Sequence, residues 1–120
     1  AYSAEITATE LSITLFWELV QPATSDGVVF IHIFDNNGTF ILGQDLPPSS
    51  GRYPMSRWQL GEGILDARRI QLDNLIKGDY DIFIGVYDPT SGLRFPIFDA
   101  NGNPIPNSSL NLFRARFNGA

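Results

Sequence analysis

The sequence predicts an all-β domain, a sandwich of seven to eight antiparallel strands of immunoglobulin-like or jelly-roll-like type. Three observations carry that expectation. Apolar side chains recur with a period of two along most of the chain, as pleated strands require. Clusters of Gly, Pro, Asn and Asp break the alternation roughly every 8–12 residues. Charged residues make up only 18% of the 120 positions while aromatics reach 12%, a balance that favours strands and turns over solvated helices. A chain of this length buries one ordinary core, so residues 1–120 are expected to form a single domain.

Each element follows from its local pattern. In Leu11–Val20 one face carries Leu11, Ile13, Leu15, Trp17 and Leu19, which places Trp17 in the core. Gln21–Gly27 is a loop, marked by Pro22, Asp26 and Gly27. Val28–Phe34 is apolar on both faces, with Val29, Ile31 and Ile33 on one side and Phe30, His32 and Phe34 on the other. Such a strand is central, or has its outer face covered. Asn37-Gly38 then signals a hairpin turn, because both residues accept positive φ, and Thr39–Gln44 is the returning strand.

Leu46–Gly63, rich in Pro, Ser and Gly, reads as a long connection crossing between two sheets. Ile64–Leu72 is a strand and Lys77-Gly78-Asp79 a turn. Tyr80–Tyr87 is a strand with Tyr80, Ile82, Ile84 and Val86 on one face. Asp88–Gly92 is a tight turn, after which Leu93–Phe98 pairs back. Asp99–Ser109 is a polar loop and Leu110–Phe117 the closing strand.

Charge and composition exclude several functions. The net charge is −5 and the eight basic residues are scattered, so nucleic acid is not an expected partner and an anionic membrane surface is disfavoured. Without cysteine there is no disulfide, zinc–thiolate site or thiol nucleophile. No apolar run approaches the roughly 20 residues of a membrane-spanning helix. The start at Ala1, without Met, suggests a mature or excised fragment.

Catalytic groupings are hard to build. His32, the lone histidine, sits between Phe30 and Phe34 and reads as a hydrogen-bonded sheet residue. Asp99, Asn101 and Asn103 imitate the start of a calcium loop, but Pro104 and Leu110 stand where Gly and an acid are needed, so a turn is the better reading. Glu62 and Asp66 could pair for glycoside hydrolysis, yet nothing in their spacing implies a cleft. The sequons at Asn37 and Asn107 carry little weight. No catalytic residue, metal or cofactor is expected in this fragment.

The remaining candidate is a ligand surface on the crossing loop, formed by Tyr53, Arg57, Trp58, Glu62 and Asp66. Exposed rings there would stack on sugars while the charged groups bind hydroxyls. Packing competes with that reading: Trp58 would plug the open end of the sandwich, Tyr53-Pro54 would fix the loop, Glu62 would accept hydrogen bonds from loop backbone or pair with Arg57, and Asp66 would do similar work at a strand end.

An ordered string of short motifs adds a resemblance. It comprises Val29–Asp35, Gln44–Pro48, Tyr53-Pro-Met-Ser-Arg-Trp58 with Gly61-Glu62 and Asp66, Gly78-Asp-Tyr80, and Gly85-Val-Tyr-Asp-Pro89-Thr-Ser-Gly92. Over about Leu11 to Phe98 the chain resembles soluble C-terminal modules of bacterial, cyanobacterial-type membrane glycosyltransferases of the protein mannosyltransferase and aminoarabinose transferase group. The resemblance implies a non-catalytic accessory sandwich, tethered on the extracytoplasmic side, with glycan, acceptor polypeptide or the parent's membrane portion as partner. It transfers no catalytic residue. A structural or protein-interaction module without a small-molecule ligand is the competing expectation, motivated by the doubly apolar strand Val28–Phe34.

Overall fold

The computed structural model describes residues 2–7, 9–23, 25–72 and 75–118. Seven strands form in chain order: β1 (Tyr2–Ile6), β2 (Glu10–Glu18), β3 (Val28–Asp35), β4 (Phe40–Leu46), β5 (Gly63–Gln71), β6 (Gly78–Tyr87) and β7 (Leu110–Phe117). Among the described residues there is no α-helix, and so no helix long and apolar enough to cross a membrane.

Two antiparallel sheets stack as a sandwich. One has the order β1-β2-β5 and the other β4-β3-β6-β7. The period-two pattern decides which side chains meet. Leu11, Ile13 and Leu15 of β2, with Ile64 and Ile70 of β5, are buried against Val29, Ile31 and Ile33 of β3 and Tyr80, Ile82, Ile84 and Val86 of β6. Burying each aliphatic side chain contributes about 1.5–3 kcal/mol, which makes this layer the main source of stability. The expected central strand is central: β3 lies between β4 and β6.

Several local expectations change. β1 was not anticipated, because its alternation is weak and four of its five residues are exposed. It is held by its ladder to β2 and by Tyr2, which stacks on Phe113 of β7 with ring centroids 5.5 Å apart. Gly78 and Asp79, expected in a turn, already belong to β6 and pair with Phe117 and Arg116. Leu93–Phe98 does not form a strand. It makes two isolated bridges, Tyr87 to Arg94 and Phe98 to Pro104, and Pro96 between them has no N–H to continue a ladder.

The hairpin at Asn37-Gly38 forms, but only Gly38 takes positive φ (78°). The carboxylate of Asp35 accepts the amides of Asn37 and Thr39, both at 2.9 Å, and holds the turn in place of a left-handed asparagine. Trp17 shares a face with Leu11 and Leu15 yet is only half-buried, because it stands at the open end of the sandwich rather than in its middle.

The long connection carries the chain from β4 in one sheet to β5 in the other, as expected, through short 3₁₀ turns at Pro48–Gly51 and Met55–Arg57. Ser49, Ser50 and Gly51 are left-handed in succession, with φ of 52°, 57° and 81°. For the two serines that conformation is strained and must be held from outside.

Candidate functional site

The crossing loop is braced by its own polar groups. The hydroxyl of Tyr53 donates to Glu62 Oε1 at 2.8 Å, and the amide of Gln59 donates to the same oxygen at 3.0 Å. The indole Nε1–H of Trp58 donates to the carbonyl of Tyr53 at 2.8 Å, and its ring is 9% exposed within the core. The amide of Ser56 donates to Asp26 Oδ1 at 2.8 Å, which holds the Asp26 carboxyl below its usual value. The Glu62 hydrogen bond, then desolvation, pushes the Tyr53 phenol up, because a phenolate would face a carboxylate.

The five candidate residues thus separate. Tyr53, Arg57, Trp58 and Glu62 come together, with the Trp58 ring turned inward and, of the four, only Arg57 exposed. A sugar-stacking platform needs an exposed ring face, and Trp58 offers none. Asp66, expected at a strand end, lies apart within β5, 0% exposed, between the sheets, and among the described residues Glu62 pairs with Tyr53 and Gln59 rather than with Arg57.

Asp66 and Arg68 were readable as inward-facing. They sit two and four residues after Ile64 on β5, whose even-numbered side chains are buried from 64 to 70. Their neighbours make that tolerable. Arg68 donates Nε to Asp66 Oδ1 at 2.9 Å and Nη2 to Asp66 Oδ2 at 3.0 Å. Its Nη2 also reaches the carbonyl of Leu46 at 2.8 Å, on the opposite sheet. Asp66 Oδ1 accepts the amide of Ser49 at 3.1 Å and so anchors the strained serine turn. The pair is a structural rivet from β5 to β4 and the crossing loop.

A second surface was only hinted at by the sequence. The outer face of β3, β4 and β6 carries a contiguous aromatic cluster. Ring centroids are 4.5 Å apart for Phe30–His32, 5.2 Å for His32–Phe40, 5.8 Å for Phe34–Phe40 and 5.3 Å for Phe34–Phe83. The three contacts involving Phe34 or Phe40 with interplanar angles of 77–85° are edge-to-face, the favoured aromatic geometry. Phe30 is covered by the guanidinium of Arg94, 4.9 Å above its ring, whereas Phe40 is 51% exposed.

Two glycines let the rings lie against the sheet. A Cβ on Gly85 would stand 2.4 Å from the Phe30 ring, and one on Gly43 would stand 2.8 Å from His32 Cδ2. One carboxylate decorates the cluster. Asp45 meets His32 Nε2 at 3.2 Å through Oδ1 and accepts the Tyr87 hydroxyl at 3.0 Å through Oδ2. The bond to Asp45, then desolvation, raises the Tyr87 phenol. The signals for this face were the doubly apolar Val28–Phe34 and the small residues Gly43 and Gly85 among large ones.

A recess of about 920 Å³ opens at the end of the sandwich, walled by Trp17, Met55, Ile84, Phe95 and Leu112 among others. Neither His32, Glu62 nor Asp66 lines it. Among the described residues no group of three or more His, Cys, Asp or Glu side chains is arranged to hold a metal ion.

No protein-family model matches the chain, and no curated protein matches it in sequence.

Proposed function

We propose that this domain is a non-catalytic recognition module whose working surface is the aromatic outer face of β3, β4 and β6, docked onto a polypeptide. The observation that carries the reading is the edge-to-face packing of Phe34, Phe40 and Phe83 on an outward sheet face. Rings interlocked at steep angles form a small hydrophobic cluster that gains from being covered by a protein surface. Sugar rings, in contrast, stack on a ring presented flat. Asp45, His32 and Tyr87 at the margin supply the polar contacts of a rim.

In this reading the polypeptide is the membrane portion of a parent glycosyltransferase, or that enzyme's acceptor, and the domain sits on the extracytoplasmic side. The motif string from Val29 to Gly92 supports that context by resemblance. Two measurements test it. The reading frame that encodes the chain should also encode a series of membrane-spanning segments; a frame without them removes the tether. The domain, supplied in trans, should co-purify with that membrane portion, and Phe34→Ser combined with Phe40→Ser should abolish the association while the thermal unfolding midpoint stays high. Equal retention of the double variant would sink the docking face. Saturable binding of mannose or arabinose oligosaccharides that needs Arg57 and Tyr53 would move the function to the crossing loop.

A further inference from the structure

Strands β5 and β4 border the same side of the sandwich, one in each sheet, and bonds from Gln44 to Arg69 and from Arg68 to Leu46 tie them together. Their outer edges are finished differently. The amide of Leu72 donates to Thr9 O at 2.8 Å, and Leu19 donates to Glu62 O at 3.3 Å, so even-numbered residues of β5 bond to β2 and odd-numbered ones turn outward. Two of those outward carbonyls are capped. Leu65 O accepts the Ser49 hydroxyl and Arg69 O accepts the Gln44 side-chain amide, both at 2.8 Å.

The edge of β4 carries no such caps. The amide of Phe95 donates to Val86 O at 2.8 Å, so even-numbered residues of β6 turn away from β3 and odd-numbered ones bond to it. Val28, Phe30 and His32 thus bond to β6, which leaves Val29, Ile31 and Ile33 to bond to Leu46, Gln44 and Leu42. The amide of Asp35 donating to Thr39 O at 2.9 Å agrees with that parity. The N–H and C=O groups of Gly43 and Asp45 therefore point out of the sheet edge, and none of the described residues bonds to them. A bulge opposite Ile33 and Phe34 ends the free stretch on one side, and Pro47, which has no N–H, ends it on the other. Both flanking connections, the hairpin from β3 and the crossing loop to β5, are described throughout, and the Tyr2–Phe113 stack places β1 and β7 on the far side of the sandwich.

We propose that the partner polypeptide adds a strand antiparallel to β4 and lays its alternate side chains along the margin of the aromatic face; this rests on the docking reading above for the partner's being a polypeptide. Strand addition takes its affinity from main-chain hydrogen bonds and its selectivity from alternate side chains. Cross-strand residues share a face, which fixes the chemistry of each position. Asp45 is 40% exposed and pairs with no lysine or arginine among the described residues, so a basic residue suits the position opposite it. The net charge of −5 favours a basic segment as well. Gly43 presents no side chain, and the His32 and Phe40 rings lie 2.8 and 3.2 Å from where its Cβ would stand. A bulky apolar residue opposite Gly43 therefore rests against both rings. On the other face, Leu42 and Leu46 call for apolar neighbours and Gln44 for a hydroxyl. Read from its N-terminus, opposite Leu46 to Leu42, the fitting segment is apolar, basic, hydroxyl, bulky apolar, apolar.

The probe is the blocked peptide acetyl-Thr-Val-Lys-Thr-Leu-Val-Thr-amide, in which lysine falls opposite Asp45 and leucine opposite Gly43. Two analogues discriminate the mode without altering the protein. N-methylation at leucine removes an amide that faces β4, whereas N-methylation at the central threonine removes one that faces away. Saturable shifts of the Gly43 and Asp45 amide signals are expected in nuclear magnetic resonance titrations with the parent peptide. They should persist with methyl-threonine and vanish with methyl-leucine. Asp45→Asn should weaken binding by up to about fivefold, and Asp45→Lys should transfer the preference to a peptide with glutamate in place of lysine. No shift at millimolar peptide, equal behaviour of the two analogues, or shifts confined to the rings of Phe34 and Phe83 would each overturn strand addition. The docking face is tested separately: if Phe34→Ser with Phe40→Ser still retains the membrane portion while the Gly43 and Asp45 shifts remain, the aromatic reading falls and strand addition stands.

Discussion

Arg68 grips Asp66 at 2.9 and 3.0 Å inside a layer that is otherwise mostly hydrocarbon, and the same guanidinium reaches across to Leu46 O at 2.8 Å. The two charges lie two residues apart on one strand, so neither can leave the interior while β5 keeps its register. Removing one partner leaves the other buried and uncompensated. Arg68→Met should lower unfolding free energy by about 3–5 kcal/mol in urea denaturation, whereas Asp66→Leu together with Arg68→Met should cost distinctly less than the sum of the singles. A cost below about 1 kcal/mol for Arg68→Met would mean that the pair is not held as described.

The two indoles should answer differently to the same change. Trp58 Nε1–H has an acceptor in Tyr53 O, and Trp17 Nε1–H has none among the described residues. Trp58→Phe orphans a loop carbonyl and should cost about 1–3 kcal/mol. Trp17→Phe discards a donor without an acceptor and should stay within about 1 kcal/mol. Denaturation midpoints of the two variants decide the matter, and the reverse ranking would show that the crossing loop does not depend on that bond.

Gly85 and Gly43 offer a second graded comparison. An alanine Cβ at residue 85 would meet the Phe30 ring at 2.4 Å and the backbone carbonyl of Ser108 at 2.8 Å. Phe30 is only 2% exposed and cannot swing away, so Gly85→Ala should cost about 1–3 kcal/mol. At residue 43 the obstacles are the ends of His32 and Phe40, both of which border solvent. Gly43→Ala should be milder, and should show chiefly as altered aromatic resonances of those two rings. Equal costs at the two sites would refute the account of a covered and an open half.

Stability should fall at high pH. Tyr53, Tyr80 and Tyr87 all have phenols pushed above the ordinary value of 10.0. For Tyr53 and Tyr87 the first cause is a hydrogen bond to a carboxylate; for Tyr80 it is burial. Above pH 10.0 the unfolded chain releases these protons while the folded chain still holds them. The unfolded state therefore binds fewer protons, and the contribution is lost as pH rises through the folded values. Asp26 works in the opposite sense: its lowered carboxyl contributes above 3.8 and loses that contribution as pH falls further. Thermal midpoints across the alkaline range test the first claim, and Glu62→Gln should bring the Tyr53 titration back toward normal. A flat alkaline profile would contradict it.

Sequence alone determined the layers. Alternation in Leu11–Leu19, Val29–Ile33 and Tyr80–Val86 assigned the buried faces correctly, because a strand's side-chain period is set by backbone geometry and needs no partner. The same period puts Asp66 and Arg68 in step with Ile64 and Ile70, so two charges enter the core. Expectations failed where the outcome depended on a neighbour distant in the chain. β1 has little pattern of its own and exists because β2 offers it an edge. Leu93–Phe98 has a strand-like composition but makes only isolated bridges, at Arg94 and Phe98, because Pro96 between them offers no N–H to a ladder.

The candidate site divided along the same line. That Tyr53, Arg57, Trp58 and Glu62 would gather was legible in one short loop. Which way the Trp58 ring turned was not, since that depended on the core volume it fills and on the carbonyl of Tyr53. The aromatic face exists only once β3, β4 and β6 lie side by side. Local periodicity decides which side of a strand is oily; only the packed sheets decide which oily side is left uncovered.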